Sequence, residues 1–254
     1  MRVDINCDMG ESYGRWSLGD DKAMMDVITS ANIACGFHGG DPNVMVETAT
    51  LAKEKGVRVG AHPGFNDLWG FGRRLIRGDT MEEIERMIAY QIGAMQACAS
   101  LAGTKVYYVK AHGALGNLVN EERPFAEALG RAIKGVDPTM GYMTMPGRPT
   151  HDVALEMGLT PIAEVFADRA YEDDGNLVSR KKPGAVLHDA EEAAQRVLAM
   201  VRDQTITTIH GKRIPAQIDT VCVHGDGATA VSMARRVREV LEQNGVTVKP
   251  FGEA

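Results

Sequence analysis

The chain has 254 residues, so it is long enough for one β/α barrel or for two smaller domains. Its net charge of −6 argues against nucleic acid as the main partner, because phosphate binding needs a basic surface. No stretch has the apolar length of a signal peptide or a membrane span, and the four scattered cysteines form no CxxC pair, which together predict a cytoplasmic protein with buried free thiols.

Short β-like runs alternate with helical runs along the whole chain. The predicted strands cover residues 2–8, 31–38, 57–63, 106–113, 140–147, 160–168 and 219–226. A helix is expected from Pro42, and the capping-box pattern of Thr80 and Glu83 opens another. This alternation, without a change of composition, predicts an α/β fold with a single domain, 1–254: a seven-stranded parallel β/α barrel. An open doubly wound sheet is the alternative.

Residues 31–42, ANIACGFHGGDP, indicate where a site can form. The apolar residues come first, and His38 and Asp41 follow among three glycines, directly before the helix that Pro42 begins. The polar cluster therefore lies where a strand ends and a helix starts, which is where parallel α/β folds build their sites. Glycines beside a histidine leave room for a ligand that approaches closely.

Alternation along the strands predicts a polar face inside the barrel. On the first strand Asp4, Asn6 and Asp8 share one face, and the apolar residues between them share the other. Five further strands end in residues of the same kind, which are Asn32 with His38, His62, Lys110 with His112, Glu164 with Asp168, and His224 with Asp226. Strands of a parallel barrel are covered on both faces, so buried polar groups there need partners, a metal or a ligand. We expect these side chains to converge at the C-terminal mouth.

Other motifs narrow the chemistry. The glycine-rich segment GFGRR offers Arg73 and Arg74 for bidentate binding of a carboxylate or a phosphate. The sequence has no GxxxxGK[ST] phosphate loop and no GxSxG elbow, so it carries neither a P-loop nor a serine-hydrolase motif. Four histidines are too far apart in sequence for a helical zinc motif, namely His38, His62, His112 and His224. A barrel mouth could still gather them with Asp8 around a divalent ion.

Taken together, eight segments resemble the LamB/YcsF family of lactam-utilisation proteins. In chain order they read DINCDMGE, NIACGFHGGDP, GAHPGFND, GFGRR, VKAHGALGN, AEVFADRAY, GNLVSRKKPGAV and CVHGDG. The resemblance implies a seven-stranded barrel of the glycoside hydrolase/deacetylase kind. It also implies ATP-dependent conversion of 5-oxoproline to glutamate with two partner subunits, B and C. The sequence departs from the family at Ala111 and Gly116, which replace the usual Pro and Tyr and remove an aromatic wall beside Lys110 and His112.

The implied reaction suits the polar residues of the strand ends. Phosphorylation of the lactam oxygen creates a leaving group, and a base-activated water can then attack the ring carbon. The predicted catalytic residues are Asp8, His62, Lys110, His112, Glu164 and Asp168. The predicted substrate-binding residues are Asn6, Glu11, His38, Asp41, Asp67, Arg73, Arg74, Arg169, Arg180, His224 and Asp226. The expected cofactors are ATP with Mg²⁺, at a site that the partner subunits could share, and a protein-bound divalent metal is left open.

Two other functions stay open from the sequence. One is a metal-dependent deacetylase or other amide hydrolase on the same barrel, which would need bound metal and no ATP. The other is a non-catalytic lactam-binding subunit, in which mutation of the carboxylates would leave the activity of the complex intact. The expected partners are subunits B and C and the substrate 5-oxoproline, with a homo-oligomer left open and neither nucleic acid nor membrane expected.

Overall fold

The computed structural model describes residues 1–225 and 229–252, and strands form the centre of this part of the chain. The strands are β1 (Arg2–Met9), β2 (Ser30–Ala34), β3 (Arg58–His62), β4 (Val106–Val109), β5 (Gly141–Thr144), β6 (Pro161–Phe166), β7 (Thr205–Thr207), β8 (Arg213–Pro215), β9 (Thr220–Cys222) and β10 (Thr247–Val248). Strands β1 to β6 and β9 pair in parallel in that order, and β9 also pairs with β1. The sheet therefore closes on itself, which confirms the predicted seven-stranded barrel and excludes the open doubly wound sheet.

Two short pieces of sheet lie outside the barrel ring. Strands β7 and β8 form an antiparallel hairpin, and β10 pairs with the beginning of β1. Neither was predicted, because strands of two or three residues are too short to produce a readable alternation.

Helices cover the outside of the barrel. They are α1 (Asp21–Met25), α2 (Pro42–Glu54), α3 (Met81–Leu101), α4 (Gly113–Glu121), α5 (Arg123–Val136), α6 (Pro149–Glu156), α7 (Ala190–Asp203) and α8 (Ala230–Gln243). The predicted start signals are confirmed, since Pro42 is the first residue of α2 and the Thr80–Glu83 capping box opens α3. Among the described residues, no helix is long and apolar enough to cross a membrane.

Except for β1, which continues one residue past the predicted end, the barrel strands end earlier than predicted. The fourth was expected over 106–113, whereas β4 stops at Val109. The chain nevertheless stays close to its neighbour, because the backbone N–H groups of Lys110 and His112 donate to the carbonyls of Ala61 and Pro63. In β4 the apolar residues thus lie in the strand itself. Lys110 and His112, which carry the functional groups, lie in the segment directly after it.

The two faces of β1 differ as predicted. Ile5 and Cys7 are fully buried in the apolar layer between the strands and the helices. The inner face carries a chain of hydrogen bonds, in which Asn32 Nδ2 donates to Asn6 Oδ1 at 2.8 Å and the Tyr108 hydroxyl donates to Asn32 Oδ1 at 2.6 Å. Satisfied polar groups of this kind rigidify a barrel interior because each fixes the orientation of the next.

Gly60 of β3 is required by the Tyr108 ring that crosses the barrel interior. A Cβ at Gly60 would overlap two ring carbons of Tyr108, and the ring cannot move without breaking its hydrogen bond to Asn32. We expect Gly60→Ala to lower the free energy of unfolding by about 1–3 kcal/mol, the usual effect of overpacking. Urea unfolding measures this. The control is Gly93→Ala in α3, where a Cβ meets no atom within 4 Å and helix propensity predicts stabilisation. Equal effects of the two substitutions would contradict the expected role of Gly60.

Asp4 does not converge with the other inner-face residues, so that expectation is wrong. It is fully buried near the start of β1 and accepts hydrogen bonds from Thr29 at 2.6 Å, from Ser30 at 2.7 Å and from Thr220. Asp8 lies four residues further along the strand, or about 13 Å towards the mouth. Alternation identifies the face correctly but says nothing about the height of a residue in the barrel.

The buried position of Asp4 predicts a pH-dependent stability. Burial raises the pKa of this carboxyl to about 6, from 3.8. Between these values the native protein retains a proton that the unfolded chain has released, so the unfolding free energy falls as pH rises, by about 3 kcal/mol in total. We expect the Asp4→Asn variant to lack this component, so its stability relative to the wild type should improve by up to that amount from pH 4 to pH 7. Urea unfolding across this range tests it, and parallel stability profiles would contradict it.

Candidate active site

A cleft of about 530 Å³ opens at the C-terminal end of the barrel. Its walls come from the ends of β1, β3, β5 and β6, from the segment after β4 and from the long loop that follows β6. The loop contains two isolated bridges, Arg169 with Val186 and Tyr171 with Leu177. Parallel barrels build their sites at this end, and most of the predicted residues line the cleft.

Lys110 lies on the floor of the cleft between two carboxylates. Its Nζ is 2.7 Å from Glu164 Oε1 and 3.1 Å from Asp8 Oδ1. Burial by itself lowers the pKa of Lys110, but the charges that surround it outweigh burial and hold the pKa well above its usual value. The lysine is therefore a fixed cation.

Asp8 connects this floor to the histidines. Its Oδ1 accepts a hydrogen bond from Asn32 Nδ2 at 2.8 Å and lies 3.4 Å from His62 Nε2. Burial raises the pKa of Asp8, but His62 and Lys110 together bring it well below its usual value. The carboxylate is thus ionised at neutral pH, which suits a group that orients a cation or a proton donor.

Three histidines and a glutamate form what we call the histidine–glutamate cluster: Glu11, His38, His62 and His112. The rings of His38 and His112 stack with centroids 3.5 Å apart, and the His62 ring is perpendicular to both. One donor atom from each residue lies within 4.8 Å of the others. Burial, followed by the neighbouring imidazoles, lowers the pKa of His38 and brings that of His112 to about 3. Imidazoles beside a carboxylate are a donor set suited to a metal ion.

The cluster differs from the grouping that the sequence suggests. The sequence left His224 and Asp8 open as members, whereas the structure brings in Glu11 and pairs His224 with Asp168. Glu11 lies just past the end of β1, and no strand pattern connects it to histidines that follow other strands.

His224 and Asp168 form a pair at the rim. His224 Nδ1 lies 2.8 Å from both carboxylate oxygens of Asp168, and Phe166 stacks against the imidazole at 5.7 Å. Burial raises the pKa of Asp168, but the hydrogen bond and charge of His224 lower it overall. Because Nδ1 faces the carboxylate, Nε2 is the nitrogen that can accept a hydrogen bond. Here it accepts one from Arg180 Nη2 at 3.2 Å. This is the arrangement of a histidine base with an orienting carboxylate.

Cationic side chains surround the outer part of the cleft. Arg73, Arg169, Arg180 and Lys181 all line it. Arg169 is 8% exposed and is held by a hydrogen bond from Nη2 to the carbonyl of Val178 at 2.8 Å. Guanidinium groups that converge on a small cleft suit a carboxylate or a phosphate.

Several predicted binding residues hold loops and do not line the cleft. Arg74 and Asp67 pair with each other, and Asp67 also accepts from the backbone N–H of Gly70 at 3.0 Å. Asp41 caps α2 and accepts from the backbone N–H of Gly14 at 2.8 Å. Their substrate-binding role stays a prediction. Asn6 lies beneath the floor, where it accepts from Lys110, and Asp226 lies outside the described residues.

The glycines near the histidines have a different reason from the predicted one. Gly72 has a φ of +63°, and a Cβ there would lie 2.7 Å from the His112 ring and 2.8 Å from His38 Cβ. Gly113, with φ +54°, would place a Cβ 2.6 Å from the Gly72 carbonyl oxygen. At these two positions, the glycines therefore make room for the histidine rings and the neighbouring backbone. Of the two, only Gly113 belongs to the glycines that the sequence indicated as room for a ligand.

Phe71 is a site residue that the sequence reasoning missed. Its backbone has a φ of +54°, and its carbonyl lies 2.8 Å from His112 Nε2. A left-handed conformation is costly for a bulky residue, and positions of this kind concentrate at functional sites. The available signal was the pair of flanking glycines in GFGRR, which indicated a tight loop but not that its backbone carbonyl accepts a hydrogen bond from His112.

These features place the protein among seven-stranded β/α barrels with a polar, open C-terminal mouth. The catalytic domain of a peptidoglycan N-acetylglucosamine deacetylase from Eubacterium rectale ATCC 33656 shares this architecture, with a TM-score of 0.52. The match covers 98% of this chain and 87% of that one at 12% sequence identity, so the likeness concerns the fold alone.

More specifically, the chain belongs to the LamB/YcsF family, which it matches over residues 3–254. It is 57% identical to the A subunit of 5-oxoprolinase from Rhodopseudomonas palustris (strain BisB5) over 99% of both chains. The crystal structure of the lactam utilization protein from Thermus thermophilus matches with a TM-score of 0.94 and 43% identity, over 99% of this chain and 100% of that one. The family predicted from the eight segments is confirmed.

Proposed function

We propose that this chain is the A subunit of an ATP-dependent 5-oxoprolinase, which opens the lactam of 5-oxoproline to give L-glutamate together with partner subunits B and C. The observation that carries the proposal is the position of Lys110 between Asp8 and Glu164 on the floor of the cleft. A buried, fixed cation at this point suits a reaction in which negative charge develops on an amide oxygen. The 57% identity to a protein named as the A subunit of 5-oxoprolinase supports the same substrate.

Substrate binding uses the cationic rim. The carboxylate of 5-oxoproline pairs with guanidinium groups of Arg73, Arg169 and Arg180, which line the outer part of the cleft. This anchors one end of the small ring and leaves the lactam carbonyl to face the floor. Gly116 lines the same cleft, so the family's usual Tyr at this position would narrow it.

Lactam opening needs activation, because amide resonance makes hydrolysis unfavourable. Transfer of a phosphoryl group from ATP with Mg²⁺ to the lactam oxygen converts that oxygen into a leaving group. Water then adds to the ring carbon, and the carbon–nitrogen bond breaks as the nitrogen takes up a proton, which leaves an acyl phosphate. A second water hydrolyses this acyl phosphate and releases glutamate and inorganic phosphate. Lys110 stabilises the charge on the oxygen. Once Arg180 pairs with the substrate carboxylate and leaves His224 Nε2, that nitrogen accepts the proton of the attacking water while Asp168 holds the ring.

Nucleotide chemistry is assigned to the assembled complex. The sequence has no P-loop, so we expect the purified chain to show little ATP hydrolysis by itself and 5-oxoproline-dependent hydrolysis once subunits B and C are added. A malachite green assay for phosphate measures this. Robust 5-oxoproline-dependent turnover of ATP by the isolated chain would contradict the assignment. A dependence on ATP also agrees with a cytoplasmic protein.

The deciding experiment is the formation of glutamate from 5-oxoproline by the chain with and without subunits B and C. We expect glutamate only when all three subunits, ATP and Mg²⁺ are present, and no reaction with proline, which has the carboxylate but no lactam carbonyl. Failure of the complete mixture to form glutamate, with partner subunits shown to bind, would overturn the proposal.

The histidine–glutamate cluster favours a second candidate, a metal-dependent amide hydrolase. The same assay separates the two functions. Glutamate formation that continues without ATP and stops after chelation would support the hydrolase. Glutamate formation that survives mutation of Asp8 and Lys110 would support a non-catalytic lactam-binding subunit.

A further inference from the structure

Two backbone carbonyls determine where His62 and His112 carry their protons. The Lys110 carbonyl oxygen lies 2.8 Å from His62 Nδ1, and the Phe71 carbonyl oxygen lies 2.8 Å from His112 Nε2. A carbonyl oxygen only accepts, so each of these ring nitrogens carries the hydrogen and the other nitrogen of each neutral ring presents a lone pair. Those other nitrogens, His62 Nε2 and His112 Nδ1, lie 3.1 Å apart. Two lone pairs at this distance repel each other unless a metal ion lies beside both or one of the rings takes up a proton between them.

His38 and Glu11 bring further donors to the same point. His38 is fully buried, and within residues 1–225 and 229–252 neither of its ring nitrogens has a hydrogen-bond partner. A buried imidazole of this kind is unfavourable without a ligand, because its polar atoms have lost water and gained nothing. Glu11 Oε1 lies 3.5 Å from His38 Nε2 and 3.6 Å from His112 Nδ1, and it supplies negative charge.

We propose that the histidine–glutamate cluster binds one divalent transition-metal ion of the Zn²⁺ kind. A tetrahedral Zn²⁺ ion with bonds of about 2.0–2.2 Å holds its ligand atoms about 3.3–3.6 Å apart. Three of the six separations, at 3.1, 3.5 and 3.6 Å, are close to that spacing, and one donor atom from each residue lies within 4.8 Å of the others. Three imidazoles and one carboxylate favour zinc-like ions over Mg²⁺ and Ca²⁺, which prefer ligand sets made of oxygen.

The surroundings of the cluster also suit a metal centre. Metal-binding histidines usually donate their second ring hydrogen to a carbonyl or carboxylate, as His62 and His112 do here. Gly64 leaves space beside the cluster, since a Cβ there would lie 2.7 Å from His38 Nδ1. His62 and His112 also line the cleft, so an ion can reach the cluster from solvent.

The test is metal binding by the full chain. The purified protein is treated with a chelator, dialysed and titrated with Zn²⁺ by calorimetry, and separately with Co²⁺, whose visible absorption reports its coordination. We expect one ion per chain, a Co²⁺ spectrum typical of four-coordinate nitrogen and oxygen ligation, and a higher melting temperature with Zn²⁺ than after chelation.

Two ligand variants and two controls make the result specific. Mutating a residue that only hydrogen-bonds to a metal ligand typically weakens metal binding by roughly 10–100-fold. Glu11→Gln and His38→Ala each remove a ligand itself, so each should weaken Zn²⁺ binding by more than that. His224→Ala removes a histidine from the other side of the cleft, and His188→Ala removes an exposed one, so both should bind Zn²⁺ as the wild type does.

Two results would overturn the proposal: no saturable binding by the chelated wild type, and binding that persists in both ligand variants. Circular dichroism identifies variants that fail to fold. If both ligand variants fail to fold, the Co²⁺ spectrum of the wild type shows whether the metal has the expected nitrogen and oxygen ligands. These measurements do not depend on lactam opening, so the metal centre and the proposed function can fail separately.

Discussion

Lys110→Met is expected to lower the rate of glutamate formation by the complete complex by about 10²–10⁴-fold per folded molecule. The substitution removes the fixed cation and leaves Asp8 and Glu164 buried without their shared counter-ion. The loss should appear in kcat with little change in KM, because the lysine acts on charge that develops during the reaction. A lower unfolding free energy, by about 3–5 kcal/mol, should accompany it, since the substitution breaks a buried ion pair.

Kinetics and unfolding measured on the same preparations separate the two effects of Lys110→Met. Lys105→Met serves as the matched control, because Lys105 is exposed and does not line the active-site cleft. If the variant loses stability while its folded fraction keeps near-normal turnover, Lys110 has a structural role and the proposed charge stabilisation is wrong.

Asp8→Asn is expected to lower turnover by about 10²–10⁴-fold while the fold and the binding of partner subunits remain. Asparagine has the same shape and keeps an oxygen that can accept from Asn32 and Lys110. Lys110 retains Glu164 as a counter-ion, so the destabilisation should be smaller than that of Lys110→Met. The substitution does remove one of the two negative charges that hold Lys110 as a fixed cation, and the proposed stabilisation of the lactam oxygen depends on that cation.

The measurement for Asp8→Asn is reconstituted glutamate production beside the melting temperature, with Asp152→Asn as an exposed control. Near-normal turnover in a folded Asp8→Asn variant would exclude a catalytic role for this carboxylate. If Lys110→Met also keeps near-normal turnover, the result would favour a non-catalytic lactam-binding subunit over a catalytic role for this chain.

The strand order, the inner face of each strand and the helix starts could all be predicted from local patterns. Alternation placed Asn6 and Asp8 inside and Ile5 outside, because the two-residue period of a strand requires no tertiary information. The capping box at Thr80 was equally local. Most of the candidate site followed from these patterns, since residues at the ends of parallel barrel strands share one mouth.

Other features were decided by the tertiary structure alone, because they depend on where loops and distant strands meet. Whether His224 joins the other histidines or pairs with Asp168 depends on the curvature of the closed barrel. The position of Glu11 beside His38 and the left-handed backbone at Phe71 depend on contacts between loops that follow different strands. The sequence by itself thus determined the barrel, its polar interior and the family. Only the folded chain decided which polar residues touch, because a contact distance depends on the three-dimensional path between two residues and not on their periodicity.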